Sequence, residues 1–133
     1  MAADGLITTR SIHGPEETMN RFAAEVKDRG MTVFAHIDHA AAAAAAGLPL
    51  RPTDLLIFGN VIAGTPLMQA VQAIGIDLPL KALVWQDASG TTWLSYNDPR
   101  WLARRHDLGD AARSRIDAMS GVLAAIAGKA TGP

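Results

Sequence analysis

Between Leu80 and Tyr96 the chain has few ways to fold. Two stretches rich in strand-forming residues, Leu80 to Gln86 and Thr91 to Tyr96, flank Asp87-Ala88-Ser89-Gly90. Polar residues and a glycine between two such stretches are the turn chemistry of a β-hairpin. With Ala88 to Gly90 as the loop, Trp85 faces Trp93 across the pair. An aromatic cross-strand pair fixes register and contributes several tenths of a kcal/mol, up to about 1.

Other stretches extend this frame. Leu6 to Ile12 holds the β-branched residues Ile7, Thr8, Thr9 and Ile12, and reads as a strand. Gly14-Pro15-Glu16-Glu17 opens a helix, with proline in the first turn and carboxylates at the positive end of the dipole. Met19, Phe22, Ala23 and Val26 give it an apolar stripe, and Gly30 stops it. Met31 to Asp38 is a second strand, with Met31, Val33, Ala35 and Ile37 on one face and Thr32, Phe34, His36 and Asp38 on the other. Seven alanines, Ala40 to Ala46, form a short helix ended by Gly47. Leu48-Pro49-Leu50-Arg51-Pro52 is an extended connector.

Leu55 to Phe58 is apolar on both faces, as a central strand is. A further helix is expected to open at Gly64-Thr65-Pro66, with Thr65 as N-cap and Pro66 in the first turn, and to end at Gly75. Asn97-Asp98-Pro99 caps a short helix through His106. Asp110 caps a longer helix over residues 110–127, with Ile116, Met119, Leu123 and Ile126 on one stripe. Lys129 to Pro133 reads as a frayed end. The order β-α-β-(α)-β-α-β-β-α predicts an α/β (α+β) fold of two layers: a mainly antiparallel sheet with helices on one face. Its core is expected from Phe22, Val26, Val33, Ile57, Leu83, Ile116 and Leu123.

Composition narrows the function classes. A chain of 133 residues has room for one domain, and 25 of its apolar residues are alanine, leaving 40 larger ones for a core. Cysteine is absent, which excludes disulfides, thiolate metal sites and cysteine nucleophiles. The net charge of -1 provides no field toward nucleic acid or an anionic membrane. Met1-Ala2-Ala3-Asp4-Gly5 has no basic or hydrophobic region of a signal peptide, and Leu55 to Gly64 is half the length of a bilayer span. The expected location is cytoplasmic, with no nucleic-acid or membrane partner.

An ordered set of short motifs resembles the domain of unknown function 302 family. It comprises Ile37-Asp38-His39, the alanine-rich turn, Leu50-Arg51-Pro52-Thr53, Phe58-Gly59-Asn60 and Gly64-Thr65-Pro66-Leu67-Met68. Asp77-Leu78-Pro79-Leu80-Lys81, Trp85-Gln86-Asp87 and Tyr96-Asn97-Asp98-Pro99 follow in the same order. The resemblance runs from about Leu6 to Leu108, most of the chain. One departure is Val61, where family members commonly carry proline. The resemblance implies a compact two-layer domain of the TATA-binding-protein-like type, often a homodimer, with no established activity. Trp101 and a largely alanine surface point to a homodimer as well.

Several residues invite chemistry. Asp38 and His39 end a strand, with His36 two residues before Asp38. Carboxylate and imidazole together make an acid–base pair or part of a metal site. Alternatively Asp38 simply caps the alanine helix. Gly59 to Thr65 superficially resembles a phosphate loop, but Thr65 stands where lysine should follow the second glycine, so Walker-type binding is rejected. The start of a Thr65 helix would still offer N–H groups to an anion. Lys81 is either a charge clamp or a solvated side chain near the sheet rim. Arg100, Arg104, Arg105 and His106 form a small basic face flanked by Asp98 and Asp107.

The favoured reading is a dimeric module binding a small polar or anionic ligand through Asp38, His39, Arg51, Asn60, Gly64, Thr65 and Lys81, with no cofactor, metal or catalytic residue assigned. One alternative is a cofactor-independent hydrolase, lyase or isomerase. It would use Asp38 or His39 as base and Lys81 or Arg51 as charge stabiliser. A structural accessory subunit is the second alternative.

Overall fold

The computed structural model describes residues 3–133. Its five strands form one antiparallel sheet: β1 (Leu6–Ser11), β2 (Thr32–Asp38), β3 (Thr53–Gly59), β4 (Leu80–Gln86) and β5 (Thr92–Asn97), in the order β1-β5-β4-β3-β2. The hairpin forms in the expected register, Trp85 opposite Trp93, with stacked rings 6.2 Å apart at 28°. Helix α1 (Pro15–Asp28) carries the chain from one sheet edge to the other. Gly30, at φ 75°, turns the chain after it, a conformation that a Cβ would strain.

Helices α1 and α5 (Arg113–Thr131) cover one sheet face. Phe22 meets Phe58 edge-on at 5.3 Å, and Val26, Leu56, Val84, Leu94, Leu123 and Ile126 close around them. Burial on this face holds the Tyr96 phenol above its ordinary pKa, and the charge of Asp98 adds to the effect. A second apolar cluster joins Leu67, Ile74, Ala112 and Ile116, with Leu78 and Met119 packed against both clusters.

Ile57 and Leu83 do not join this core. They pair across the opposite face with Lys81 and Leu55 respectively, and remain half-buried. Leu56, Phe58, Ala82 and Val84 take the buried places. Adjacent strand positions alternate faces, and a strand apolar on both sides carries no mark of which side is covered.

Three helix boundaries also differ. Helix α3 (Val61–Ala70) begins four residues before Thr65, because Asn60 caps it: the Ile62 N–H donates to Asn60 Oδ1 at 2.9 Å. Thr65 and Pro66 therefore lie inside a helix that starts earlier. The helix stops at Val71, and Gly75 belongs to a 3-10 turn, Gln72–Asp77, instead of ending the helix. Helix α5 starts after Asp110, whose carboxylate accepts from Arg113 at 2.9 Å rather than capping.

Lys129 to Pro133 is not a frayed end. Ala130 and Thr131 are buried, the Ile12 N–H donates to the Thr131 carbonyl at 2.9 Å, and His13 donates to the Gly132 carbonyl at 2.6 Å. The end of α5 is thereby tied to the end of β1.

Candidate functional site

Six of the seven candidate residues fall at two ends of the sheet. Asp38, His39 and Arg51 lie at one end, where Asp38 pairs in register with Asp54. Asn60, Gly64 and Thr65 follow the other end of β3, a seven-residue strand, so roughly 20 Å separates the groups.

At the first end, Asp38 Oδ1 accepts the Ala41 N–H at 2.9 Å and caps α2 (His39–Ala45). A seven-alanine segment with no buried residue needs that cap, since it has no packing to hold it. His39 is the exposed first residue of α2. His36 donates instead to Asp54 across the strand pair, at 2.6 Å. Arg51 Nε donates to the Gln86 carbonyl at 3.2 Å. Among the described residues no three histidine or acidic side chains gather as metal ligands. Lys81 lies on the opposite sheet face from the helices, its Nζ 3.4 Å from the Pro79 carbonyl. It is two strands and three positions from Asp38 in register, roughly 14 Å away. The groups of an acid–base site built on Asp38 and Lys81 do not converge.

Three of the four groups of the basic face are spent internally, and Arg104 stays exposed. Arg105 and His106 both engage Asp77, at 2.8 Å and 2.5 Å, and Arg100 pairs with Asp117 at 3.2 Å. Trp101 does not offer a free apolar surface either. Its ring lies so close to Gly5 that a Cβ there would sit 2.3 Å away, and its N–H donates to Asp4.

At the second end the structure opens a cleft of about 620 Å³, within the range of small-molecule sites. Its floor comes from the ends of β3 and β4, where Gly59 and Leu80 approach. One wall is α3, with Gly64, Thr65 and Met68; the other is α5, with Ala118, Met119 and Val122. Met31, just before β2, and Phe34 of that edge strand close a third side. Phe34 reaches it because β2 shifts register between Val33 and Ala35, and such a bulge re-aims a side chain. The cleft stays open at Gly64, Ala63 and Ala118, which are too small to fill it. It sits where the two apolar clusters meet, at Leu78 and Met119.

Asn60, Gly64 and Thr65 line this cleft. The anion-binding helix start at Thr65 is absent, since Gly64 N–H already donates to the Asn60 carbonyl at 2.9 Å. Sequence reasoning missed Arg29, Phe34, Met68 and Arg115 as lining residues. The only available signal is the methionines: three of five, Met31, Met68 and Met119, meet here. They are too far apart in sequence to form a pattern.

Fold and cleft define a class: a two-layer α+β domain with helices on one face of an open antiparallel sheet and a ligand-sized cleft at one sheet end. The chain belongs to the family described as "Domain of unknown function DUF302", which it matches over residues 7–126. The match passes Leu108, where the resemblance read from the sequence stops, and takes in most of α5. A crystal structure of an uncharacterized conserved DUF302 protein from Bacillus stearothermophilus shares the fold. Its TM-score is 0.85 at 22% identity, covering 96% of this chain and 99% of that one. Proteins named fluoride-specific ion channel FluC 1 in Brucella suis and Brucella abortus are 53% identical over 115 residues. The match covers 86% of this chain but 45% and 43% of theirs. The chain thus spans under half the length of these relatives. Among the described residues no helix is long and apolar enough to cross a membrane.

Proposed function

We propose that this chain is a dimeric binding module that takes a small ligand in the cleft bounded by Asn60, Gly64 and Thr65. The observation that carries this reading is the cleft itself: 620 Å³ of space, walled by helices and left open by small residues. The same position held by larger side chains would be core. The dimer is supported by the sheet face away from the helices. Leu55, Ile57, Leu83, Trp85 and Trp93 present a half-buried apolar band there, of the kind monomers rarely leave uncovered. A thermal-shift screen of metabolite classes tests ligand binding. A ligand at a hundred times its dissociation constant adds about 2.7 kcal/mol of stability. If no class raises the melting temperature, the binding reading fails.

A second reading, an accessory role, is favoured by the relatives that carry a matching segment as less than half of a chain named as a fluoride channel. In this reading the module acts beside a membrane protein. Co-expression with the unmatched half of the Brucella suis relative tests it. Co-purification and altered fluoride flux in vesicles would support it, and independent purification with unchanged flux would remove it. The enzyme reading has the least support, since the Asp38 carboxylate is engaged as a cap and Lys81 lies on the other sheet face.

A further inference from the structure

We propose that the ligand of the cleft is an amphipathic monoanion, a carboxylate bearing an aliphatic or aromatic tail, with Arg29 and Arg115 as its charge partners. This rests on the binding-module reading above and names its ligand class.

The apolar part follows from the walls. Met31, Phe34, Met68, Leu78, Met119 and Val122 face the cleft, and methionine in particular adapts to tails of different shape. A polyhydroxylated or nucleotide ligand would find few partners. Asn60 and Thr65 are the uncharged polar side chains of the lining, and Asn60 Oδ1 already holds the Ile62 N–H. Burying unpaired ligand hydroxyls against methionine and leucine would oppose binding.

The charge follows from the lining's imbalance. The chain has 13 acidic and 12 basic residues, yet the cleft is lined by two arginines and no carboxylate. Arg29 comes from the end of α1 and Arg115 from the first turn of α5, so the cations enter from different elements. Both side chains are in reach of solvent. Arg29 forms a loose i,i+4 ion pair with Glu25, Nε to Oε2 3.7 Å, too long for a hydrogen bond and open to a competing carboxylate, and Arg115 has no ion pair among the described residues. Arginine's planar donors suit a carboxylate, and a tail removes apolar area from water with each methylene buried.

Calorimetric titration with decanoate, decanol and acetate tests the proposal on the wild-type chain and on Arg29→Gln, Arg115→Gln and Gly64→Trp. Decanoate should bind, with acetate and decanol at least tenfold weaker. Each arginine variant should lose about tenfold for decanoate, the scale of one hydrogen bond to a charged group, and bind decanol unchanged. Gly64→Trp should abolish binding; Ala118→Trp, from the opposite wall, replaces it if the first variant fails to fold. Equal binding of decanol and decanoate, with arginine variants indifferent, overturns the anion assignment and leaves the binding module standing. Decanoate binding that survives both tryptophan variants is surface adsorption and overturns it too. No binding by any probe, with the tryptophan variants converting a dimer to monomer, makes the cleft an interface between copies and overturns both readings.

Discussion

Val61 shows how one residue's meaning depends on its place in an element. It occupies the first position of α3, just after the Asn60 cap, and is 65% exposed. Proline is favoured at that position, because the first helical N–H has no intrahelical acceptor and the fixed φ suits the turn. The family's common proline therefore fits the same helix start, and valine loses only pre-organisation. Val61→Pro should stabilise the chain by about 0.4–1 kcal/mol, mainly by restricting the unfolded state; urea denaturation measures it. A loss of stability would place the helix start elsewhere.

Asp87 makes a second residue-scale case. Its carboxylate accepts from the Trp93 indole at 2.8 Å and from the Ser89 and Thr91 N–H groups at 2.9 and 3.0 Å. The Trp93 bond is the main cause that holds its pKa below the ordinary 3.8, with the two backbone donors adding to it. A lowered acid pKa stabilises the fold above the unfolded value and loses that contribution as pH falls through the folded one. Near-UV circular dichroism of the tryptophan pair should therefore hold steady above about pH 4 and decay only below it. Asp87→Asn should remove that acid-side change in the hairpin signal.

Among elements, β3 makes the sharpest contrast between neighbours. Leu56 is 1% exposed beneath α1 and α5, while Leu55 points to the other face and is half-buried. Leu56→Ala should cost about 2–5 kcal/mol through lost burial and a cavity. Leu55→Ala should cost less than half as much in dilute solution, and more at concentrations where the sheet face is covered. Chemical denaturation at two protein concentrations separates these outcomes. Equal costs in dilute solution would mean that a further layer covers the second face. Helix α2 lies at the other extreme, with no buried residue and a single side-chain cap.

For the whole molecule, the open sheet face sets the expected assembly. Leu83 stands near the middle of that face, between Leu55 and Ser95 in register. Leu83→Lys puts a charge there without entering either apolar cluster. The variant should keep its secondary structure and sediment near the 14.0 kDa of one chain, where the proposed wild-type dimer would give about twice that value. A wild-type monomer at micromolar concentration would remove the dimer. An unfolded Leu83→Lys variant would instead make this face part of the folding core.

What was legible in the sequence was local. The hairpin, the α1 start at Pro15, the Asp38 cap of the alanine helix and the Asp98 cap of α4 (Pro99–Arg105) rest on contacts within a few residues. Short-range chemistry writes them directly. The motif order likewise carried the family, and with it the antiparallel two-layer fold. Tertiary structure alone decided three things. It chose which face of the doubly apolar β3 and β4 lies under the helices, because alternation has no phase when both faces are apolar. It tied the Lys129–Pro133 segment to β1, through bonds spanning more than a hundred positions that no local pattern encodes. It also set Asp38 and His39 beside the start of β3 through the antiparallel β2–β3 pairing, at the Arg51 end and away from Asn60, Gly64 and Thr65. The cleft at the second end depends on Arg29 and Met31, Met68, and Arg115 arriving from three separate segments. Only packing brings them together, because a cavity is defined by what surrounds it in space and has no sequence of its own.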